Sequence, residues 1–161
     1  MINGVFLLLG TNLGDRILNL ETARYYIGTE IGEIVKESSI YITEPWGILD
    51  QPEFYNQVIN IRSELDAFQM LVKINHIEQL MGRIRKLKWG ERLIDIDILF
   101  YSNEIINTPN LKIPHPGIPE RMFTLIPLAE LDQHMVHPVS QLSISSLIEA
   151  CPDTGKVSML R

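Results

Sequence analysis

Ile94-Asp95-Ile96-Asp97-Ile98-Leu99-Phe100-Tyr101 is the stretch whose reading decides the fold. From residue 94 to residue 98 apolar and acidic side chains alternate strictly, the period-two pattern of a half-buried strand. Ile94, Ile96 and Ile98 then face a core, while Asp95 and Asp97 share the other face. Residues two apart on a strand have α-carbons about 7 Å from one another, so the two carboxylates repel unless something neutralises them. A hard divalent cation does so, and Mg²⁺ binds protein through one or two carboxylates while keeping water and substrate phosphates. Just upstream, Arg83, Arg85, Lys86, Lys88 and Arg92 form a dense cationic run in an otherwise acidic chain. One reading is metal on one side and an anion clamp on the other. The alternative is a solvated strand face beside a solvated basic loop, since acidic side chains also guard exposed strand edges. Finding both features within residues 83–97, with Trp89-Gly90 between them, favours the first.

Upstream of that stretch, Asp66 with Gln69 three residues on reads as a capping box opening a helix. Phe68, Leu71, Ile74, Ile77 and Met81 supply its apolar stripe and Gly82 its stop. Glu78 lies beside the stripe, where it could orient Arg83 or Arg92 or be a solvated helix residue. Residues 55–61 alternate as a strand, Tyr55, Gln57, Ile59 and Ile61 against Asn56, Val58 and Asn60. Residues 4–10 are a glycine-bounded apolar run that reads as a central strand buried on both faces. Residues 11–15 then turn into a helix carrying Ile17, Leu20, Ile27 and Ile31, with Gly28 and Gly32 at its fraying end. This turn matches neither the dinucleotide fingerprint nor the phosphate loop, so a plain strand-to-helix turn is expected. Residues 34–43 read as one further strand. Between it and Phe54, prolines, a glycine and aromatics describe a long loop, the kind of segment that carries function. Asn56, near Trp46 and Phe54 by loop closure, could hydrogen-bond a flat heterocycle stacked on those aromatics, or could cap a turn.

Downstream, residues 102–104 read as a hairpin turn that returns 105–107 against the acidic strand. Two prolines keep 111–116 extended and present His115, with Arg121 and Phe123 beyond it, from an irregular segment. Residues 125–131 and 144–150 read as helical turns that close the core. His134 and His137 have helical ligand spacing, but no Cys or further acidic cluster completes a zinc site. The order of elements predicts an α+β fold, a ferredoxin-like split β-α-β sandwich. Its mainly antiparallel sheet carries helices on one face, the acids on the open face, and a C-terminal extension.

A length of 161 residues is expected to make a single domain, 1–161, able to bury a core without disulfides. With 45% hydrophobic and 21% charged residues, disorder is not expected. A net charge of −6 argues against nucleic acid as the main partner, because such binding rests on a basic face. The lone Cys151 excludes an internal disulfide framework and fits a reducing compartment. Residues 5–9 are too short for a signal sequence, and no apolar run approaches a membrane span. A cytoplasmic, monomeric protein is the expectation.

Several motifs, taken in order, carry a resemblance. They are Gly10-Thr11-Asn12-Leu13-Gly14, Thr43-Glu44-Pro45 with Gly47, Asp50-Gln51-Pro52 with Phe54 and Asn56, and Ile77-Glu78 leading to Gly82-Arg83-Ile84-Arg85. Trp89-Gly90 with Arg92, Asp95-Ile96-Asp97-Ile98-Leu99, and Pro114-His115-Pro116 with Arg121 and Phe123 complete the set, which runs across about three quarters of the chain. Together they resemble the 6-hydroxymethyl-7,8-dihydropterin pyrophosphokinases. The resemblance implies transfer of the β,γ-pyrophosphoryl unit of ATP to the pterin's hydroxymethyl group, releasing AMP, in folate synthesis. It implies that Asp95 and Asp97 hold two Mg²⁺ ions and, with Arg83 and Arg92, carry catalysis. It further implies that Glu78, Arg83, Arg85, Arg92, Ile98, Lys112, His115 and Arg121 bind ATP. Thr43, Pro45, Trp46, Phe54, Asn56, Asp95 and Phe123 would line the pterin pocket. The partners implied are these two small molecules, with neither nucleic acid nor membrane. Trp46, Glu91 and a basic loop one residue shorter depart from the family pattern. A rival from another class is a ligand-binding or RNA-binding module on the same kind of sheet. A regulatory small-molecule module has no use for the basic loop or paired acids, and an RNA-binding one needs exposed strand aromatics and a basic face. The corresponding strand here displays carboxylates.

Overall fold

The computed structural model describes residues 1–45, 50–82 and 93–161. β1 (Ile2–Thr11) is buried on both faces from Val5 onward, as its unbroken apolar run requires. It leads into α1 (Arg16–Glu30), whose first turn is capped by the Asp15 carboxylate accepting from Leu18 N–H. The helix runs through Gly28 rather than ending there. The strand expected over 34–43 is two strands, β2 (Gly32–Glu37) and β3 (Tyr41–Thr43), both paired with β4 (Phe54–Ser63). The break falls at Ser38, whose Oγ accepts from Val58 N–H at 3.0 Å while its own N–H donates to Val58 O at 2.9 Å. A side chain therefore substitutes for backbone at that point of the ladder.

α2 (Ala67–Leu80) opens on the expected capping box between Asp66 and Gln69. β5 (Asp95–Tyr101) then returns along the outer side of β1. The sheet order is β5-β1-β4-β3-β8, with β2 also on β4 and every pair antiparallel. This is the order of a split β-α-β sheet extended by β8 (Val157–Met159), a strand the sequence pattern did not reveal. The hairpin expected after β5 does not form. β6 (Ile106–Asn107) pairs instead with β7 (Lys112–Ile113) as a separate two-stranded sheet.

Helices cover both faces of the main sheet, not one. Val5, Leu7, Leu9, Ile59, Ile61, Ile94, Ile96 and Ile98 pack with Leu20, Ala23 and Ile27 of α1 and Met70, Ile74 and Ile77 of α2. Phe6, Leu8, Val58, Leu99 and Phe100 form a second core with α3 (Met122–Asp132) and α4 (Ile144–Ala150). α3 is apolar nearly all round, so it is buried against sheet and α4 together. Phe68 and Ile17, expected in the helix stripes, are exposed; Ala67 and Met70 take the buried positions of α2. A register shift in β5 pairs Phe6 with Phe100 but Leu7 with Ile98, leaving Leu99 as an extra residue. Leu99 and Phe100 thus both join the second core, while Ile98 and Tyr101 stay in the first.

Candidate functional site

Strand register assembles the site. Across four neighbouring strands Tyr41 opposes Asn56, Asn56 opposes Gly10, and Gly10 opposes Asp95. Directly opposed residues project to the same face, so this row lies on the face that α3 and α4 cover farther along. Leu8, Val58 and Asp97 belong to that face too, since Leu8 pairs with both others. The C-terminal helices take Phe6, Leu8, Val58, Leu99 and Phe100 into their core, and the row through Gly10 lies beyond that cluster. With strands about 4.8 Å apart, Asn56 and Asp95 stand about 10 Å from each other across Gly10. Gly10 has no side chain, so along this row no side chain stands between the amide of Asn56 and the carboxylate of Asp95.

The amide side is tightly built. Asn56 and Thr43 are both buried, and Asn56 Nδ2 donates to Thr43 Oγ1 at 2.9 Å. A Cβ at Gly10 would lie 3.0 Å from Asn56 Oδ1, so that oxygen sits close against Gly10. Pro45 and Phe54 are half-buried at the same end. The turn after β1 holds the neighbouring loop. Asn12 Nδ2 donates to Gln51 Oε1 at 2.9 Å and to Pro52 O at 3.0 Å, and Arg16 donates to Glu53 O at 2.8 Å while lying 4.0 Å from the Tyr55 ring centre.

The acid side stands on a strand edge. Asp95 and Asp97 are half-buried, with the Asp97 side chain 43% exposed. Between them Ile96 sends its N–H outward to Glu78 Oε2 at 3.0 Å. Glu78 is therefore neither solvated nor merely beside the stripe; it is buried and fixes the acid strand to α2. Farther along the same edge, His115 N–H donates to Leu99 O at 3.0 Å. His115 Nδ1 accepts from Gly117 N–H at 2.9 Å, which leaves Nε2 as the protonated nitrogen of a neutral ring. Burial lowers the His115 pKa below its usual value; the Asp97 charge opposes this, and Arg121 reinforces it. Nε2 stands 4.0 Å from Asp97 Oδ2, too far for a hydrogen bond, so this donor and the acid flank a common space. The Arg121 guanidinium lies over Gly117, where a Cβ would come within 2.8 Å of it, and 5.8 Å from the Phe123 ring centre.

Beside the acids lies a cavity of about 280 Å³ lined by Leu71, Ile74, Ile98, Leu111, Lys112 and His115, with Asp97 at its margin. Lys112 Nζ is held by Asn107 Oδ1 at 2.9 Å. Thus Ile98, Lys112, His115 and Asp97 are brought together around one cavity. Thr43, Asn56 and Asp95 are brought together by the register row. Arg83, Arg85, Arg92 and Trp46 lie outside the described residues. Elsewhere, His137 is buried with Nδ1 accepting from Val139 and Ser140 N–H at 3.2 Å, which marks it as a structural residue. Reading the sequence missed Gly10 as the open position of that row, Gly117 as the seat of Arg121 and Asn12 as loop anchor. Cross-strand register would have revealed the first; the other two have no local signal. Among the described residues no helix is long and apolar enough to cross a membrane.

A family model described as 7,8-dihydro-6-hydroxymethylpterin-pyrophosphokinase matches residues 6–133. The 2-amino-4-hydroxy-6-hydroxymethyldihydropteridine pyrophosphokinase of Aquifex aeolicus is 41% identical over 84% of this chain and 84% of its own length. Its counterpart from Bacillus subtilis is 40% identical over 84% of this chain and 81% of that protein. The folic acid synthesis protein fol1 of Pneumocystis carinii is 40% identical over 92% of this chain, which spans 20% of the fungal protein. Among solved structures, Plasmodium falciparum HPPK-DHPS with pteroate has a similar fold, with a TM-score of 0.78 at 20% identity over 92% of this chain and 44% of that one.

Proposed function

The chain belongs to the 7,8-dihydro-6-hydroxymethylpterin-pyrophosphokinase family, and from that premise we propose how its own residues carry out the reaction. The β,γ-pyrophosphoryl unit of ATP passes to the hydroxymethyl group of 6-hydroxymethyl-7,8-dihydropterin, giving AMP and the pterin diphosphate. The observation that carries this reading is the row Asn56, Gly10 and Asp95, with Asp97 one step along. Pterin would lie flat on the side-chain-free floor at Gly10, its polar edge at Asn56 and its hydroxymethyl group toward Asp95. Thr43, Pro45 and Phe54 wall the amide end, and Phe123, in the first turn of α3, is proposed as a further ring contact. ATP would enter from the strand edge, its nucleoside in the cavity lined by Leu71, Ile74, Ile98, Leu111 and Lys112.

Asp95 and Asp97 fit magnesium. They offer hard oxygen donors from neighbouring positions on one face, and Asp97 is open enough to exchange water for a cation. Two ions with ATP are the proposed complement, supplying charge neutralisation on the phosphates and a lowered pKa for the attacking hydroxyl. The residues themselves bind and orient. Glu78 holds the strand between the acids, and the neutral His115 Nε2–H donates into the space beside Asp97. Arg121 brings positive charge from its seat on Gly117. Arg83, Arg85 and Arg92 are proposed to add cationic contacts from the segment that precedes the acids. Pyrophosphoryl transfer forms a bond from the hydroxyl oxygen to the β-phosphorus as the bond to the α–β bridging oxygen breaks. Fixed charges aimed at such a reaction are the main catalytic resource, with little covalent work left for protein groups. Residues 1–161 are taken as one pyrophosphokinase domain.

A coupled assay of AMP formation from ATP and the pterin tests this. Asp97→Ala is expected to lose most turnover at unchanged melting temperature, and wild-type turnover is expected to stop on chelation of divalent metal and return with added Mg²⁺. Near-normal turnover in Asp97→Ala would refute the assignment.

A further inference from the structure

The C-terminal extension, beyond the span of the family match, ties together the two walls of the proposed pterin slot. α3 begins at Met122 with no side-chain cap from the preceding Arg121. Asp153, 31 positions later, supplies the missing acceptor: its Oδ2 takes the Met122 N–H at 3.0 Å, and its Oδ1 takes the Gly155 N–H at 2.8 Å. Directly afterwards β8 adds to the free edge of β3, with Val157 opposite Thr43 and Met159 opposite Tyr41, and Leu160 N–H reaches Ile40 O at 2.8 Å. One short strap is therefore bonded both to the helix end that presents Phe123 and to the strand that presents Thr43 to Asn56. At the other end of α3, Glu130 accepts from Ser39 N–H and Ser39 Oγ–H at 3.0 Å and from Tyr41 O–H at 2.6 Å. Burial, that hydrogen bond and the Glu130 charge push the Tyr41 pKa up to about 12, so the phenol remains a donor at any working pH. α3 is thus fixed to the β2–β3 side at both of its ends.

We propose that Asp153 is a positioning residue for the pterin, setting through the first turn of α3 the placement of Phe123, which the family resemblance assigns to the pterin pocket. The inference rests on the pterin reading of that slot. The first N–H groups of a helix have no intrahelical partner, and without a cap the first turn frays. Phe123 is the second residue of that turn. Arg121 is held differently, by its packing over Gly117, so the ATP side has its own support.

The test compares Asp153→Ala, Asp153→Asn and Asp153→Glu with wild type. Losing a cap of ordinary strength is expected to raise the pterin KM about fivefold in D153A, while kcat and the ATP KM stay within about twofold of wild type. D153N keeps one acceptor oxygen where the carboxylate has two, so one of the bonds from Met122 and Gly155 N–H is lost. Its pterin KM is expected to lie between those of wild type and D153A. D153E moves the acceptor by one methylene and gives an intermediate pterin KM. In the substrate-free protein, the amides of residues 122–125 exchange hydrogen faster in D153A than in wild type, with D153N between the two. A pterin KM unmoved in D153A and D153E, equal rises in both KM values, or unchanged exchange at 122–125 would each overturn the role given to Asp153. Absence of AMP formation by wild type would instead overturn the pyrophosphokinase reading beneath it.

Discussion

Gly10→Ala separates stability from substrate binding at a single methyl group. The added Cβ lies 3.0 Å from Asn56 Oδ1, a few tenths of an ångström inside comfortable contact. Asn56 cannot swing away freely, because its Nδ2 is committed to Thr43 at 2.9 Å. Gly10 has no left-handed φ, so alanine adopts its backbone conformation without strain. On the stability side, replacing glycine at a compatible position gains about 0.4–1 kcal/mol through the unfolded chain. Weakening the hydrogen bond from Asn56 to Thr43 loses about 1 kcal/mol. These nearly cancel, and the urea midpoint is expected to stay close to that of wild type. On the binding side nothing cancels. The methyl group occupies the floor on which the ring is proposed to lie, lifting it out of reach of Asn56. Losing one or two hydrogen bonds at about 1 kcal/mol each raises the pterin KM roughly 5- to 30-fold. The cavity proposed for the nucleoside is on the other side of β5, so the ATP KM should not follow. Steady-state AMP formation with each substrate varied in turn measures both. A pterin KM within experimental error of wild type, in a folded G10A protein, would show that no substrate lies over Gly10.

Glu78→Ala leaves the buried Ile96 N–H without an acceptor and is expected to cost about 1–3 kcal/mol in a urea titration, whereas Glu78→Gln retains most of that stability; equal losses in both would mean that the hydrogen bond is not what Glu78 contributes. Gly117→Ala introduces a Cβ 2.8 Å from the Arg121 guanidinium, a flexible group that can move, so the melting temperature should hold while the ATP KM rises; an unchanged ATP KM would separate Arg121 from the nucleotide. His137 is held neutral by burial, its folded-state pKa below the usual 6.5. As pH falls through that value the unfolded chain takes up the proton first, so this stability is present above 6.5 and is lost progressively as pH drops toward the folded-state value. A His137 ring titration by NMR with a midpoint at or above 6.5 would contradict this.

What the sequence disclosed depended on whether a feature is local. The alternation from Ile94 to Ile98 showed which face carries the acids, because one short window contains the whole pattern. The next three residues, Leu99, Phe100 and Tyr101, are all apolar, so any register fits them, and the extra residue at Leu99 was hidden. The capping box at Asp66 and Gln69 was legible for the same local reason, while Phe68 was misplaced because Ala67, the small residue that is buried, carries little hydrophobic signal. The break at Ser38 exists because one hydroxyl replaces a backbone partner across the sheet, which no periodicity records. Residues 125–131 were legible as apolar helix, but nothing local states which side of the sheet a later helix will cover. The row through residues 41, 56, 10 and 95 is set by long-range pairing, so its functional meaning came from the resemblance and its geometry from the fold. One consequence joins the two. β5 is an edge strand, and its outward N–H at Ile96 and C=O at Leu99 would invite another chain to pair. Glu78 and the His115 backbone occupy those groups on either side of Asp97. The bonds that close the edge are therefore also bonds that brace the strand carrying the acids, so loosening either should expose an edge and blur the proposed metal site together.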